Sequence, residues 1–413
     1  MRITDKHMVL ADQVVVSAGA FTTNLLVARL LGPVQFGVFS TVILIQLFFQ
    51  SMMQAGLSGM APVIWARIEA NQKRSYANGL FWSQIAILVT LLFVGVLLYW
   101  LVQSFAPAFS SIFFAASAAV VLYLLQDYLR KWFLTVLQPA KAFWLSAITN
   151  SLQLVALAVL WFQHEMNLTA VLWVVGITFL PSVALGCWWL KPGLPSLKRI
   201  RFALLAYRSE SLWMLTSALL QWTAGNFYVL AAGWWLGAGA LGALRLAQYI
   251  FGLLNVLLQA LENYVLPRAA NLHNQQAALQ QFMKNMFKQS ALLILPVLLL
   301  LAVFGNQVMA LAGGKEFQAF GYLMAGLSCI YLLNLLAYPL RIALRVSLLN
   351  RVYFNGYLIT TVFSLSTAWL LLGQWQLKGA LLGMFITQLL LLIYWAFVLN
   401  NKKLLSWKLS ISY

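Results

Sequence analysis

The chain has 413 residues, of which 63% are hydrophobic and 8% charged, with a formal net charge of +18 at pH 7. Soluble proteins average roughly 45–50% apolar and about 25% charged residues, so a soluble globular fold is excluded and a polytopic membrane protein is expected. The positive balance does not point to nucleic acid, because the basic residues sit in short loops between apolar runs, where they report topology.

Apolar runs of about 20 residues mark helical membrane spans. Twelve are present, at about 10–31, 37–61, 80–103, 110–134, 142–163, 168–190, 211–235, 243–266, 289–312, 317–341, 352–373 and 379–399. The first follows a basic start without a small-residue cleavage site, so it reads as a retained span rather than a signal peptide. Of the 26 basic residues, 22 fall on one side of this arrangement, and Arg29, Arg245, Lys315 and Lys378 lie elsewhere. The basic side is cytoplasmic by the positive-inside rule, which places both termini there. The longest basic connection, Lys191–Glu210, opens with Pro192, Gly193 and Pro195. It divides the chain into an N-terminal six-helix bundle (1–190), a cytoplasmic linker (191–210) and a C-terminal six-helix bundle (211–413). Gln275 to Lys288 reads as a short polar helix.

The two halves repeat. Leu31-Gly32-Pro33-Val34-Gln35-Phe36-Gly37 precedes the second span, and Leu236-Gly237-Ala238-Gly239-Ala240-Leu241-Gly242 precedes the eighth. Each offers glycine where a tight turn requires positive φ. The same offset sets Gln50 on Asn255 and Gln54 on Gln259. Equivalent spans keep one orientation, so the repeat is parallel, related by an axis along the membrane normal. The expected class is an all-α integral membrane protein with twelve transmembrane helices in two parallel-repeat six-helix bundles.

The eighth span carries a polar stripe. Arg245, Gln248, Asn255, Gln259 and Glu262, with Gly252 between, recur in steps of three and four and so share one side of a helix. A charged group in hydrocarbon costs several kcal/mol, so this side must meet protein or a water-filled cavity. The second span has a matching stripe in Gln46, Gln50 and Gln54. The two stripes are expected to face one another across a cavity. Cys187 and Cys329 are far apart in apolar runs, and His7, His164 and His273 are isolated. No nucleophile with a base, metal-ligand spacing or phosphate-cradling loop is present, so no enzyme chemistry, catalytic residue, metal or cofactor is expected.

Ala28-Arg29-Leu30-Leu31-Gly32-Pro33-Val34-Gln35-Phe36-Gly37-Val38-Phe39 resembles the signature after the first span of the Wzx-type polysaccharide flippases. These belong to the superfamily of multidrug, oligosaccharidyl-lipid and polysaccharide exporters. Tyr264-Val265-Leu266-Pro267-Arg268 resembles the end of their eighth span, and Gly314-Lys315-Glu316-Phe317 the start of their tenth. The resemblance implies a flippase of the bacterial inner membrane. Its substrate would be an undecaprenyl-diphosphate-linked repeat unit of an O-antigen or capsule, and its neighbours a polysaccharide polymerase and a chain-length regulator. A multidrug and toxin extrusion transporter, a major-facilitator carrier and a non-transporting scaffold for glycan assembly are the competing readings.

Under the flippase reading, Arg29 and Arg245 are candidates for the diphosphate or an acidic sugar, because a guanidinium pairs with phosphate through two parallel hydrogen bonds. The plain alternative for Arg29 is snorkelling to lipid headgroups. Gln50, Gln54, Gln248, Asn255 and Gln259 are candidate sugar contacts, since amides both donate and accept; helix–helix hydrogen bonding is their structural alternative. Asp12, Asp127 and Glu262 are candidates for carrying a coupling proton, against local ion pairing such as Asp127 with Arg130 or Lys131. Arg130, Lys131, Arg341 and Arg345 are candidates for a cytoplasmic entrance, against ordinary topological charge. Trp234 and Trp235 fit either sugar stacking or an interface belt.

Overall fold

A computed structural model describes residues 3–105, 107–163, 167–206, 208–271, 276–347 and 349–402. In chain order the helices are α1 (Ile3–Met53), α2 (Ala61–Arg67), α3 (Ala70–Phe105), α4 (Pro107–Thr135), α5 (Pro139–Phe162), α6 (Leu168–Ile177), α7 (Leu180–Leu190), α8 (Leu197–Leu205) and α9 (Arg208–Leu236). They continue with α10 (Ala238–Asn271), α11 (Gln276–Val303), α12 (Gly305–Gly313), α13 (Tyr322–Val346) and α14 (Asn350–Asn401). A π-helical turn, Gln54–Ser58, follows α1, and a 3₁₀ segment, Lys315–Phe320, precedes α13. The described residues contain no strand.

Among the described residues, nine stretches are long and apolar enough to cross a membrane. Two of them, His7–Arg67 and Asn350–Asn401, each carry two of the predicted spans. The 29 residues of α9 are long enough as well, because at about 1.5 Å per residue they outrun a hydrocarbon core of roughly 30 Å, but α9 is less apolar and is not one of the nine. All twelve predicted spans therefore fall on helices, and the chain is an all-α, multi-pass membrane protein.

Local chemistry explains where the spans bend. Inside α1, Gly32 sits at φ 69°, immediately before Pro33. Its counterpart in the repeat, Gly237, sits at φ 92° between α9 and α10. Both adopt a backbone that a Cβ disfavours by roughly 1–2 kcal/mol. The turn within α14 uses Gln376 at φ 49° instead. The sixth predicted span is broken into α6 and α7, with Pro181 in the first turn of α7, where its missing N–H is harmless. The ninth is broken at Phe304 into α11 and α12. The polar stretch before it is not a separate short helix, because α11 runs unbroken from Gln276 into the apolar span.

The chain divides into two compact units inside α9, between Leu219 and Leu220. In the first, α1 packs on α5, α3 on α4, and α4 on α6. Its core joins Tyr76, Phe81, Tyr128, Leu129, Trp132 and Phe133. The stretch 191–210, expected as a linker, carries α8, which packs on α3 as part of this unit. In the second unit α13 is central, with α10, α11 and α14 against it. Leu340, Leu344, Leu391, Trp395 and Leu399 form one of its cores.

Candidate functional site

The first unit holds a compact charge cluster. On α4, Asp127, Arg130 and Lys131 are spaced by three and four residues, so they share one face. Lys131 Nζ lies 2.7 Å from Asp127 Oδ2, and Arg130 Nη2 lies 3.4 Å from Asp127 Oδ1. Arg130 also reaches across to α1, where its Nη1 donates to Asp12 Oδ2 at 2.8 Å. The other oxygen of Asp12 accepts from Ser146 Oγ on α5 at 2.5 Å. Asp12 is almost wholly enclosed, its side chain 2% exposed against 13% for Arg130. Two carboxylates and two cations thus balance in charge, and Arg130 bolts α4 to α1. Of the four cations proposed from sequence as an entrance, Arg130 and Lys131 are held in these pairs.

The polar stripe of the second span runs beside this cluster. Gln46 and Gln50 lie near the Tyr123 hydroxyl on α4, and Gln54 Oε1 accepts from Lys131 Nζ at 3.2 Å. Gln46, Gln50 and Gln54 advance by four residues, and so do Tyr123, Asp127 and Lys131, so the two helices present matched ladders. Gln54 is nevertheless exposed. It opens the π-helical turn, a local widening that is frequent at functional sites.

The second unit holds a different arrangement. Arg245 on α10 is 7% exposed. Its Nη1 donates to Gln248 Oε1 at 3.1 Å and its Nη2 to the Tyr249 hydroxyl at 3.0 Å. The guanidinium carbon lies 4.6 Å from the centre of the Tyr249 ring, within cation–π range. Its enclosed Nε has no hydrogen-bond partner among the described residues. None of the ion pairs seen among the described residues includes Arg245. Arg245 is thus a buried, permanently charged group solvated by neutral acceptors. Nearly three turns on, Asn255 Nδ2 donates to the Tyr331 hydroxyl of α13 at 2.7 Å, and that ring packs against Phe251 with centroids 4.7 Å apart.

The remaining candidates are scattered. Arg29 is exposed on α1. Arg341 is half-buried with its guanidinium 5.9 Å from the Tyr338 ring, and Arg345 is exposed, 5.9 Å from the Tyr353 ring. The side chains of Gln259 and Glu262 lie outside the described residues. Trp234 and Trp235 are both exposed. Sequence reasoning passed over Tyr123, Ser146, Tyr249 and Tyr331. Tyr249 was legible, four residues beyond Arg245 on the same face. Ser146 and Tyr331 belong to other helices than their partners and carry no local signal.

The sequence family described as polysaccharide biosynthesis protein matches residues 26–321. No curated protein sequence matches the chain. Among solved structures, the lipid II flippase MurJ in an inward closed conformation aligns with a TM-score of 0.73 at 11% identity, covering 98% of this chain and 89% of that one. A multidrug resistance MATE family transporter of the MOP superfamily, inward-facing, aligns at 0.71 with 12% identity, covering 95% and 96%. A MOP superfamily transporter from Pyrococcus furiosus, reported with a binding pocket of reverse polarity, aligns at 0.56 with 13% identity, covering 97% and 92%. At such identities these likenesses establish a shared fold.

Proposed function

The chain belongs to the polysaccharide biosynthesis protein family, and from that membership we propose that it is a flippase for a lipid-linked oligosaccharide. The cargo is an undecaprenyl-diphosphate-linked repeat unit of an O-antigen or capsule. It is moved by alternating access from the cytoplasmic to the outer leaflet of the bacterial inner membrane, with both termini cytoplasmic. A polymerase and a chain-length regulator act on the product.

The observation that carries this reading is the state of Arg245. A buried cation at membrane depth costs several kcal/mol, and Arg130 meets that cost with two carboxylates. Arg245 has none among the described residues, only an amide and a phenol. Such a site is completed by an anionic ligand, and a diphosphate or acidic sugar is one. Gln248 and Asn255, with Gln259 on the same helix, supply hydroxyl contacts to the glycan, as do Gln50 and Gln54 in the first unit. Arg29 attracts the anion from the outer end of the first span, beside the kink in α1, and Arg341 and Arg345 receive it at the cytoplasmic end. Arg130 and Lys131 join them only when Asp12 or Asp127 is protonated, which makes that clamp, with Glu262, the candidate for proton coupling. A pH dependence of flipping unaltered in an Asp127→Asn variant removes the coupling role.

A cation antiporter is disfavoured by the same geometry. It requires a buried carboxylate open to its ligand, whereas among the described residues the buried carboxylates, Asp12 and Asp127, already hold cations. The test is leaflet-resolved detection of the lipid-linked glycan in cells lacking the protein. Accumulation on the cytoplasmic leaflet, cured by the intact gene and not by Arg245→Glu, is the expected result. No accumulation, with raised sensitivity to cationic drugs instead, overturns the proposal in favour of the antiporter.

A further inference from the structure

Helix α8 has two apolar faces where a helix at the edge of a soluble domain would have one. The first is used internally. Ala203 is buried and Phe202 packs on the core of the first unit. At Gly79 of α3 a Cβ would collide with the carbonyl oxygen of Arg199, so the two helices meet at backbone contact. The segment leading into α8 is pinned as well. The Gly193 N–H donates to Asn78 Oδ1 at 3.0 Å, and its carbonyl accepts from Trp82 Nε1 at 2.7 Å. Helix α8 is therefore held in place without help from any ligand.

The second face points away from α3. Leu197, Leu204 and Leu205 are 84%, 44% and 52% exposed, and Leu194 just before the helix is 84% exposed. With Arg201 among them, the helical members recur at intervals of three to four residues, which makes a stripe. Lys198 and Arg201 are themselves exposed. The stretch Lys191–Ala206 contains four cations and no acid, the next acid being Glu210. Beside the stripe lies an open cavity of about 520 Å³, lined also by Gly56 of the π-helical turn and Ser211 of α9. That volume falls in the range of small-molecule sites. An apolar stripe flanked by cations, at the side of the membrane where the basic loops cluster, has the character of an interfacial helix.

We propose that the cavity beside α8 binds an anionic phospholipid of the cytoplasmic leaflet, with its phosphate at Lys198 and Arg201 and an acyl chain along Leu197, Leu204 and Leu205. Charge complementarity selects the headgroup, and the rigid seat of α8 on α3 means that little ordering accompanies binding. The inference does not depend on the cargo that the protein transports.

The test uses the purified full chain in detergent, with lipid retention read by native mass spectrometry against phosphatidylglycerol and phosphatidylcholine of equal chain length. Wild type retains phosphatidylglycerol in preference. Each removed cation weakens that retention by about fivefold, so Arg201→Gln shows one such step and Lys198→Gln/Arg201→Gln shows two. Leu205→Asn weakens both lipids alike. All three side chains are exposed, and an unchanged melting midpoint verifies that the variants fold. Equal retention of the two lipids by wild type overturns the proposal, and so does undiminished preference in the double variant. Stronger retention of undecaprenyl phosphate than of phosphatidylglycerol also overturns it, and marks the cavity as a substrate station.

Discussion

Replacing Arg130 by methionine tests how far the charge cluster holds the first unit together. Methionine keeps the length and apolar stem of the side chain and removes the charge. Asp127 then retains Lys131 at 2.7 Å. Asp12 retains only the Ser146 hydroxyl, with its side chain 2% exposed. Leaving one charge of a buried pair uncompensated costs about 3–5 kcal/mol. In a cooperative unit of roughly 200 residues each kcal/mol moves the unfolding midpoint by about 2–4 °C, so a fall on the order of 10 °C is expected. Tryptophan fluorescence during heating of the detergent-solubilised chain follows it, since 17 tryptophans are available. The companion variant Asp12→Asn/Arg130→Met removes both charges and keeps an acceptor for Ser146. Replacing both members of a buried pair is often close to neutral, so the double variant should recover to within about 2 kcal/mol of wild type. A single variant within about 0.5 kcal/mol of wild type would refute the reasoning. A double variant at the sum of the two singles would refute it too, because additivity means that the residues do not interact.

Three further outcomes follow from the geometry. Arg245→Gln should abolish glycan flipping while leaving the melting midpoint unchanged or higher, because it removes a buried cation that no described carboxylate balances; a large loss of stability would make Arg245 a structural residue. Gly237→Ala should cost about 1–2 kcal/mol, read as a lowered midpoint, through backbone conformation alone, since a Cβ there meets nothing within 4 Å. Tyr331→Phe removes the hydroxyl that accepts from Asn255. It should cost about 1 kcal/mol and leave the packing on Phe251 intact, and transport falling further than stability would place Asn255 against the cargo.

The amino-acid sequence determined the class and the span positions, because each of these is local or periodic. Membrane helices announce themselves by composition over about 20 residues, and all twelve fell on helices. The turn glycines Gly32 and Gly237 were legible because positive φ is a property of a single residue, and both adopt it. The pairing of Asp127 with Arg130 and Lys131 was legible as neighbouring positions on one helix. Tertiary structure decided what the polar groups touch. Asp12 pairs with a residue 118 positions away, and Asn255 with one 76 positions away, and nothing in either neighbourhood encodes that choice. The stripe of Gln46, Gln50 and Gln54 showed in sequence only that it needs polar company; packing supplied α4. The same packing separated two kinds of buried arginine that look alike in sequence. Arg130 is neutralised by carboxylates brought from two helices, while Arg245 keeps its charge among neutral partners, because charge balance is a property of the assembled environment.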